Sequence, residues 1–364
     1  MLTLKVDKLR TYLSSVYKED VDIKYIGELG GKKRRPRKEL KGFGYGVPYV
    51  VELAVKGKPK SVVLETIRPG AFGHDHFSDR AQILLWQNSA FNNLPKHARS
   101  VDVGAFTENG TLRSAGDFTE FFIVTEKVEG TLYHQDLDRI REQKSLTELD
   151  KQRCQALADY VVQIHAVKKD APELYVRRIR DLLGHGECIM GLTDSYPSGL
   201  DYINEEDLCD IEKRCVEWRW KIKNKSHRCS RVHGDFHPWN VLFREKTEFS
   251  VLDRSRGEWG DPADDVSAMS INYIFYSLRT YGKLAGAFEK LFNIFWKHYL
   301  DESGDEEMLK VVPPFYAWRG LVIASPIWYP HLSLDTRTKL LNFVRNVLQA
   351  ERFNLENVNL YIED

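Results

Sequence analysis

The chain has 364 residues, which is too many for one small core and suits two closely packed lobes. Its 53 basic and 53 acidic residues leave a formal net charge of zero, so the overall charge gives no reason to expect nucleic acid or an anionic membrane as the main partner. Hydrophobic residues make up 42% of the chain and charged residues 29%, the balance of an ordinary globular protein.

The sequence shows no sign of secretion or membrane insertion. Segment 1–7 has no apolar stretch followed by a small-residue cleavage site, and no apolar run is long enough to span a bilayer. The five cysteines are odd in number and have no C-x-x-C spacing, which is typical of reduced, mostly buried thiols. We therefore expect a cytoplasmic protein, either a monomer or a homodimer.

The N-terminal part, up to residue 128, is predicted to be mainly β. A strand at 22–26 runs into Gly30 and Gly31, and the basic run 32–38 follows them. This run can bind phosphate or substrate, or it can be a solvated loop, since Pro36 argues against regular structure there.

The next predicted elements are a β-hairpin, a helix and further strands. The hairpin joins strands 49–55 and 61–67 through a turn at 57–59. A helix is expected at 78–91, and more sheet at 101–106 and 120–128.

From residue 145 onward the pattern is helical. Apolar residues recur at offsets of three and four, as in Cys154, Leu157, Val161 and Ile164. The one clear β interruption is segment 232–253. The pattern therefore predicts an N-terminal lobe, 1–128, and a helical C-terminal lobe, 129–364.

The most informative segment is H-G-D-F-H-P-W-N at 233–240. Phosphoryl transfer to a hydroxyl needs a carboxylate that orients the hydroxyl and accepts its proton, together with oxygen ligands for magnesium. Asp235 can be that base, Asn240 a neutral metal ligand, and Asp253 an acidic metal ligand at the end of an apolar strand. Mg²⁺ prefers few protein ligands, with phosphate and water oxygens filling the rest.

Here the sequence resembles the aminoglycoside phosphotransferase-like family of small-molecule and antibiotic kinases. Segment 233–240 matches the family's catalytic loop, and Leu252-Asp253 followed by G-D-P at 260–262 and Asp265 matches its metal-binding segment. The resemblance implies an α+β, protein-kinase-like fold of two lobes, with ATP and Mg²⁺ as cofactors. It further implies transfer of the γ-phosphate to a hydroxyl of a small metabolite or antibiotic.

The resemblance also implies roles for residues outside the catalytic base and metal ligands. Glu126 and Val128 lie in a segment that is similar to the family's hinge, whose backbone meets adenine, so the N-terminal lobe would bind the nucleotide. His233 would support the catalytic loop, and Asp261 and Asp265 would brace it or cap the next helix.

One position departs from the family pattern. Family members carry a lysine in the third strand of the N-terminal lobe to hold the α- and β-phosphates, and this sequence has Glu65 there. Arg68 can take the place of that lysine, while Gly30 and Gly31 are the candidate glycines of the nucleotide-binding loop. The alternative is a catalytically impaired, pseudokinase-like binding or regulatory protein.

A second alternative is a metal-dependent hydrolase. On a strand, His233, Asp235 and His237 would face one side and could bind a transition metal. This hypothesis leaves Asn240 and Asp253 without a role. A P-loop ATPase is excluded, because no G-x-x-x-x-G-K-[ST] motif occurs.

Two further groups of residues have two interpretations each. His185 and Glu187 can belong to an acceptor pocket or to a turn between helices. Trp318, Trp328 and Tyr329 can line a pocket or pack in the core.

Overall fold

The computed structural model describes residues 5–28, 48–70 and 72–363. The chain forms two compact units, Met1–Thr125 and Glu126–Asp364. Helices and strands both occur, which confirms the predicted α+β class. The predicted lobe boundary after residue 128 falls three residues beyond this division and stays a prediction of where the nucleotide-binding lobe ends.

The N-terminal unit combines two helices with short antiparallel sheets in its described residues. In chain order the elements are α1 Val6–Tyr17, β1 Val21–Glu28, β2 Tyr49–Val55, β3 Lys58–Leu64, α2 Phe77–Asn92, β4 Gly104–Phe106 and β5 Leu112–Ser114. Strand β2 lies between β1 and β3, and β4 pairs with β5. A small core forms where Leu9 and Leu13 of α1 pack with buried side chains of β1 and β2.

The predicted hairpin is present, with a different turn. Val55 pairs with Lys58, so the turn residues are Lys56 and Gly57, with φ of 49° and 76°. Two residues at positive φ make a two-residue hairpin turn whose twist matches that of the strands, and glycine adopts this φ at no steric cost. Strand β3 therefore begins before residue 61 and ends at Leu64, earlier than predicted.

Three other features of this unit bear on the sequence predictions. Helix α2 confirms the helix expected at 78–91, whereas α1 was not predicted.

The strand expected at 120–128 is wrong, because these residues form no strand and the apolar side chains of 121–124 are exposed. Apolar character suggested a buried strand there, but no described strand pairs with it. The basic run 32–38 lies outside the described residues.

The C-terminal unit is mainly helical, as predicted. Its helices are α3 Tyr133–Gln143, α4 Glu148–His165, α5 Pro172–Gly184, α6 Ile189–Ser195, α7 Glu205–Ile222, α8 Ala263–Tyr281, α9 Gly286–Ser303, α10 Pro313–Ala324 and α11 Leu334–Gln349. Its strands are β6 Thr131–Leu132, β7 Ser230–Arg231, β8 Val241–Phe243, β9 Phe249–Val251 and β10 Trp259–Gly260. Short 3-10 helices lie at Ser226–Arg228, Pro238–Asn240, Glu306–Lys310 and Leu355–Tyr361.

Helix α8 is the centre of this unit. Every residue from 263 to 278 is buried, and α8 packs against α3, α9, α10 and α11. A helix that is buried on all sides belongs inside a core rather than on its surface. Helix α8 begins shortly after β10, and β10 pairs with β7, the strand before the predicted catalytic loop. The first turn of α8 therefore lies close to that loop.

Two expectations from composition can be compared with the structure. All five cysteines are free, and all except Cys209 are buried, as the sequence predicted. Across the part of the chain that the structure describes, no helix is both long enough and apolar enough to cross a membrane.

Close packing of α10 on α11 gives a stability prediction. A Cβ at Gly320 would lie 2.4 Å from Val344 Cγ2, so Gly320→Ala forces these helices apart. We expect the free energy of unfolding to fall by about 1–3 kcal/mol, measured by urea unfolding followed by tryptophan fluorescence.

The matched control is Gly184→Ala at the end of α5, where a Cβ meets nothing within 4 Å. That variant should keep or slightly raise stability, because alanine favours helix over glycine. Equal stability for the two alanine variants would contradict the close contact of α10 with α11.

Candidate active site

The catalytic-loop motif forms a compact turn between β7 and β8. Gly234 has φ of 86°, a conformation that glycine adopts without steric cost. The Nδ1 atom of His237 accepts a hydrogen bond from the Trp239 backbone N–H at 3.2 Å and thereby caps the 3-10 helix Pro238–Asn240. These contacts within the chain give the loop a defined shape.

Asp265 binds the backbone of this loop. Its carboxylate accepts hydrogen bonds from the backbone N–H groups of His233 at 2.8 Å and Gly234 at 2.7 Å. His165 Nε2 lies 3.1 Å from the same carboxylate. Burial alone would raise the pKa of Asp265, but the hydrogen bonds and the charge of these partners outweigh it and lower the pKa. This is the bracing contact expected from the sequence.

Asp261 fixes the start of α8. It accepts a bidentate pair of hydrogen bonds from Arg228, at 2.9 and 3.1 Å, and a third from the Tyr175 hydroxyl at 2.7 Å. The Ala263 N–H donates a fourth at 2.9 Å. Burial opposes ionisation, but Arg228 outweighs it and lowers the pKa of Asp261. Asp261 therefore caps the helix as the sequence indicated.

Asp235 is a buried carboxylate held by cations. It is 7% exposed, and its Oδ1 accepts hydrogen bonds from Arg319 at 2.6 Å and Arg256 at 3.0 Å. Its Oδ2 lies 3.4 Å from His237 Nε2 and 3.4 Å from Asn240 Nδ2. Burial would raise the pKa of Asp235, but Arg319, His237 and Arg256 together hold it far below its usual range. The carboxylate is therefore ionised and fixed in orientation.

Arg319 was missed by the sequence analysis. Besides Asp235, it donates to the Gly234 carbonyl at 3.2 Å and to Asp264 at 2.7 Å, and its guanidinium lies 3.8 Å from the centre of the Trp318 ring. Burial and the neighbouring Asp265 charge outweigh Arg319 and raise the pKa of Asp264. A single charged residue inside the apolar run of α10 was the available signal, because buried arginines are nearly always paired.

Asn240 and Asp253 lie at the same end of one β-hairpin, Asn240 just before β8 and Asp253 shortly after β9. Val241 of β8 pairs with Val251 of β9, and the Leu252 N–H donates to the Asn240 carbonyl at 2.9 Å. The Asn240 amide nitrogen donates to the Asp235 carbonyl at 3.0 Å, which leaves its Oδ1 for a cation. One amide oxygen and one carboxylate are suitable ligands for Mg²⁺.

The backbone of Asp253 has an uncommon conformation, and the metal-binding role of this residue stays a prediction. Its φ is 55°, in the left-handed region that residues other than glycine seldom adopt, and its side chain is exposed. Such conformations cost energy and cluster at ligand-binding sites. The turn after β9 therefore directs an ionisable side chain out of the hairpin end instead of continuing the strand.

The hydrolase hypothesis is wrong in its structural premise. Residues 233–237 do not form a strand, so the alternation of His233, Asp235 and His237 does not place them on one face. No group of three histidine, cysteine, aspartate or glutamate side chains able to hold a metal occurs within residues 5–28, 48–70 and 72–363. The Asp235 oxygens are instead occupied by arginine, histidine and asparagine side chains.

The predicted nucleotide-contacting residues are divided between the two units, and the structure describes only some of them. Glu126 is exposed and Val128 half-buried in a segment without helix or strand. Glu65 follows the last residue of β3, and both Glu65 and Arg68 are exposed. Gly30 and Gly31 lie outside the described residues. The nucleotide-binding roles of these residues stay predictions.

Glu187 lies beside the catalytic loop, whereas His185 does not contact it. The Trp318 indole N–H donates to the Glu187 carbonyl at 2.9 Å, and Arg256 Nε lies 3.3 Å from the Glu187 carboxylate. Arg256 thus joins Glu187 to Asp235. The exposed His185 accepts a hydrogen bond from the Glu187 N–H at 3.3 Å, as in a turn.

A family model matches the part of the chain that carries the sequence motif. The family model described as the phosphotransferase enzyme family matches residues 102–289, just over half of the chain. Similar solved structures include the amicoumacin kinase hAmiN, at 16% identity over 87% of this chain and 90% of that chain with a TM-score of 0.42. The Plasmodium vivax ethanolamine kinase has 12% identity, 94% and 80% coverage, and a TM-score of 0.37. No curated protein matches the sequence.

The bracing carboxylate gives a pH-dependent prediction. Asp265→Asn puts an amide against buried N–H donors, so the free energy of unfolding at pH 7 should fall by about 2–4 kcal/mol. The native pKa of Asp265 is lowered, so its stabilisation is present above the unfolded pKa of about 3.9 and is lost as pH falls through the native pKa. The difference from wild type should be constant above about pH 5 and narrow below about pH 4.

Urea unfolding at several pH values measures this difference. Asp210→Asn is the matched control, since Asp210 is exposed on α7 and, among the described residues, its ion-pair partner is Arg214 alone. The control should change stability by less than about 1 kcal/mol at any pH. A stability difference for Asp265→Asn that stays unchanged in acid would contradict the role given to its charge.

Proposed function

The chain belongs to the phosphotransferase enzyme family, and on that premise we propose that it transfers the γ-phosphate of ATP, with Mg²⁺, to a hydroxyl of a small molecule. The observation that carries the proposal is the ionised, oriented carboxylate of Asp235 next to the hairpin end that bears Asn240 and Asp253. This arrangement would supply the base and the oxygen ligands that the proposed reaction needs. Phosphoryl transfer depends mainly on such positioning and on charge neutralisation.

Asp235 is proposed as the catalytic base. The acceptor hydroxyl would donate a hydrogen bond to this carboxylate, its oxygen would attack the γ-phosphorus, and the bond to the β–γ bridging oxygen would break. The hydroxyl proton would pass to Asp235. A carboxylate with a lowered pKa is a weak base, so Asp235 would act chiefly by orienting the hydroxyl, with the proton moving late.

Asn240 and Asp253 are proposed to hold Mg²⁺. When bound, the ion would neutralise charge on the phosphates. The Asn240 amide is already oriented by its bond to the Asp235 carbonyl, which couples the position of the metal ligand to that of the base. The backbone of Glu126 and Val128 is proposed to contact adenine, and Gly30, Gly31 and Arg68 to contact the phosphates.

The first prediction of the proposed function concerns turnover. Asp235→Asn should lower kcat by about 10²–10⁴-fold, because the neutral amide holds the hydroxyl less well and cannot accept its proton, while ATP affinity with Mg²⁺ stays within about twofold of wild type. The amide oxygen can still accept from Arg319, so the loop should stay folded. The measurements are phosphate transfer from labelled ATP to an acceptor and isothermal titration with ATP. Retained turnover in this variant would contradict the assignment of Asp235 as the base.

The second prediction concerns nucleotide binding. Asp253→Asn removes a charge yet keeps a residue type that tolerates positive φ, so Mg²⁺-dependent binding of ATP should weaken by about tenfold or more. Titration with a non-hydrolysable ATP analogue, with and without Mg²⁺, measures the effect.

The matched control for this experiment is Glu245→Gln, at the exposed turn that ends the same hairpin on its other side. It should bind nucleotide like wild type. No nucleotide binding by the wild-type protein would favour the pseudokinase-like alternative, and equal weakening in both variants would show a general charge effect.

A further inference from the structure

Two arginines contact the proposed base, and a third lies nearby; we call Arg178, Arg256 and Arg319 the arginine cluster. Arg319 binds Asp235 and Asp264, and Arg256 binds Asp235 and Glu187. Arg178 lies next to Asp264, with Nη2 4.0 Å from its Oδ2. Asp235 thus has two arginine partners, although a single bidentate arginine satisfies a carboxylate well.

Arg178 is the member of the cluster whose guanidinium has no hydrogen-bonded carboxylate among the described residues. Its Nε is buried with no hydrogen-bond partner among the residues that the structure describes, and its closest carboxylate oxygen is Asp264 Oδ2, 4.0 Å from Nη2. Its side chain is 18% exposed, so the outer nitrogens can be reached. A largely buried guanidinium that lacks hydrogen bonds is costly to hold, and an anionic ligand would offset that cost.

The backbone around Arg178 leaves space for its guanidinium. A Cβ at Gly260 would lie 3.6 Å from Arg178 Nε, and one at Gly257 would lie 3.8 Å from Nη1. Arg256, which contacts Asp235, directly precedes Gly257. The guanidinium of Arg178 therefore lies along the same segment that carries Arg256 to the proposed base.

The formal charges of the arginine cluster and its three carboxylate partners cancel, but the partners differ in exposure. The arginine cluster faces two buried carboxylates, Asp235 and Asp264. Its third carboxylate partner, Glu187, has a side chain that is 56% exposed, so water screens its charge. Excess positive charge in a partly buried site favours an anion as the ligand.

The aromatic side chain nearby does not favour a cationic ligand. The Trp318 ring has the Arg319 guanidinium 3.8 Å and the Arg256 guanidinium 4.8 Å from its centre. Trp318 is 2% exposed, so no free face remains to bind an ammonium group by a cation–π contact.

We propose that the acceptor carries an anionic group, a carboxylate or a phosphate, which Arg178 and Arg256 bind while its hydroxyl faces Asp235. The assignment of this ligand as the acceptor rests on the proposed function. Arg256 shares Asp235 Oδ1 with Arg319. An anion that draws Arg256 toward itself opens one lone pair of Oδ1 to the hydroxyl, while Arg319 keeps the carboxylate in place. Binding of the anion thus prepares the base.

The test measures anion binding without any nucleotide. Inorganic phosphate and acetate are titrated at constant ionic strength into wild type, Arg178→Gln and Arg178→Lys, by calorimetry. The matched control is Arg180→Gln. Arg180 lies on the same helix as Arg178, and its side chain is 47% exposed. We expect wild type and Arg180→Gln to bind alike, Arg178→Gln to lose about tenfold or more in affinity, and Arg178→Lys to lose less.

The two probes distinguish the sources of the anion. Tighter binding of phosphate supports a phosphorylated acceptor, and tighter binding of acetate supports a carboxylate. No binding by wild type, or equal binding by wild type and Arg178→Gln, would overturn the proposal. Loss of phosphate binding in the presence of a saturating non-hydrolysable ATP analogue with Mg²⁺ would also overturn it, because the arginines would then bind the phosphate donor.

Turnover decides the acceptor class. Matched pairs of acceptors, such as gluconate and glucose, are compared with Mg²⁺ and ATP present. The anionic member of each pair should have a kcat/KM at least about tenfold higher than the uncharged member, because its KM is lower. A higher kcat/KM for an uncharged or amine-bearing member overturns the proposal but leaves the proposed function intact. Absence of Mg²⁺-dependent ATP binding with intact phosphate binding at Arg178 would instead refute the proposed function.

Discussion

The site depends on one constraint: the Asp235 carboxylate is buried and must remain ionised. Taking a carboxylate out of water is costly unless cations and hydrogen bonds replace the solvent. Arg319 supplies most of that replacement, and it is itself held by Asp264 and the Gly234 carbonyl. The base, its cation and the backbone of the loop are therefore one bonded network, and moving any member leaves another charge unpaired.

Asp264 and Asp265 in the first turn of α8, with Asp261 just before it, carry the acidic side of this network. They lie where a helix N-terminus favours negative charge, and each has a different partner. Asp261 holds Arg228, Asp264 holds Arg319, and Asp265 holds the backbone of the catalytic loop. Because α8 is buried on all sides, the rigid core of the C-terminal unit fixes the geometry of the loop.

The other side of the site is built differently. Asn240 and Asp253 are positioned by a short hairpin, and Asp253 is exposed at positive φ. A rigid, buried carboxylate beside an exposed one suits the proposed reaction, in which the protein fixes the acceptor hydroxyl while a metal and phosphates bind from solvent. Arg256 and Arg319 of the arginine cluster both contact Asp235, so the proposed binding of an anion is coupled to the orientation of the proposed base.

The sequence by itself determined what short separations control. Asp235, Asn240 and Asp253 lie within one loop and one hairpin, so their spacing predicted that they are neighbours. The motifs that contain them resemble those of a known family, and that resemblance implied the family and its α+β, protein-kinase-like fold. Apolar periodicity predicted α4, α7, α9 and α11, but it failed at 120–128, where apolar residues are exposed. Only the tertiary structure decided the partners of Asp235. Arg319 lies 84 residues away along the chain, and the pairing of distant charges is set by how buried helices pack, a property that no local pattern encodes.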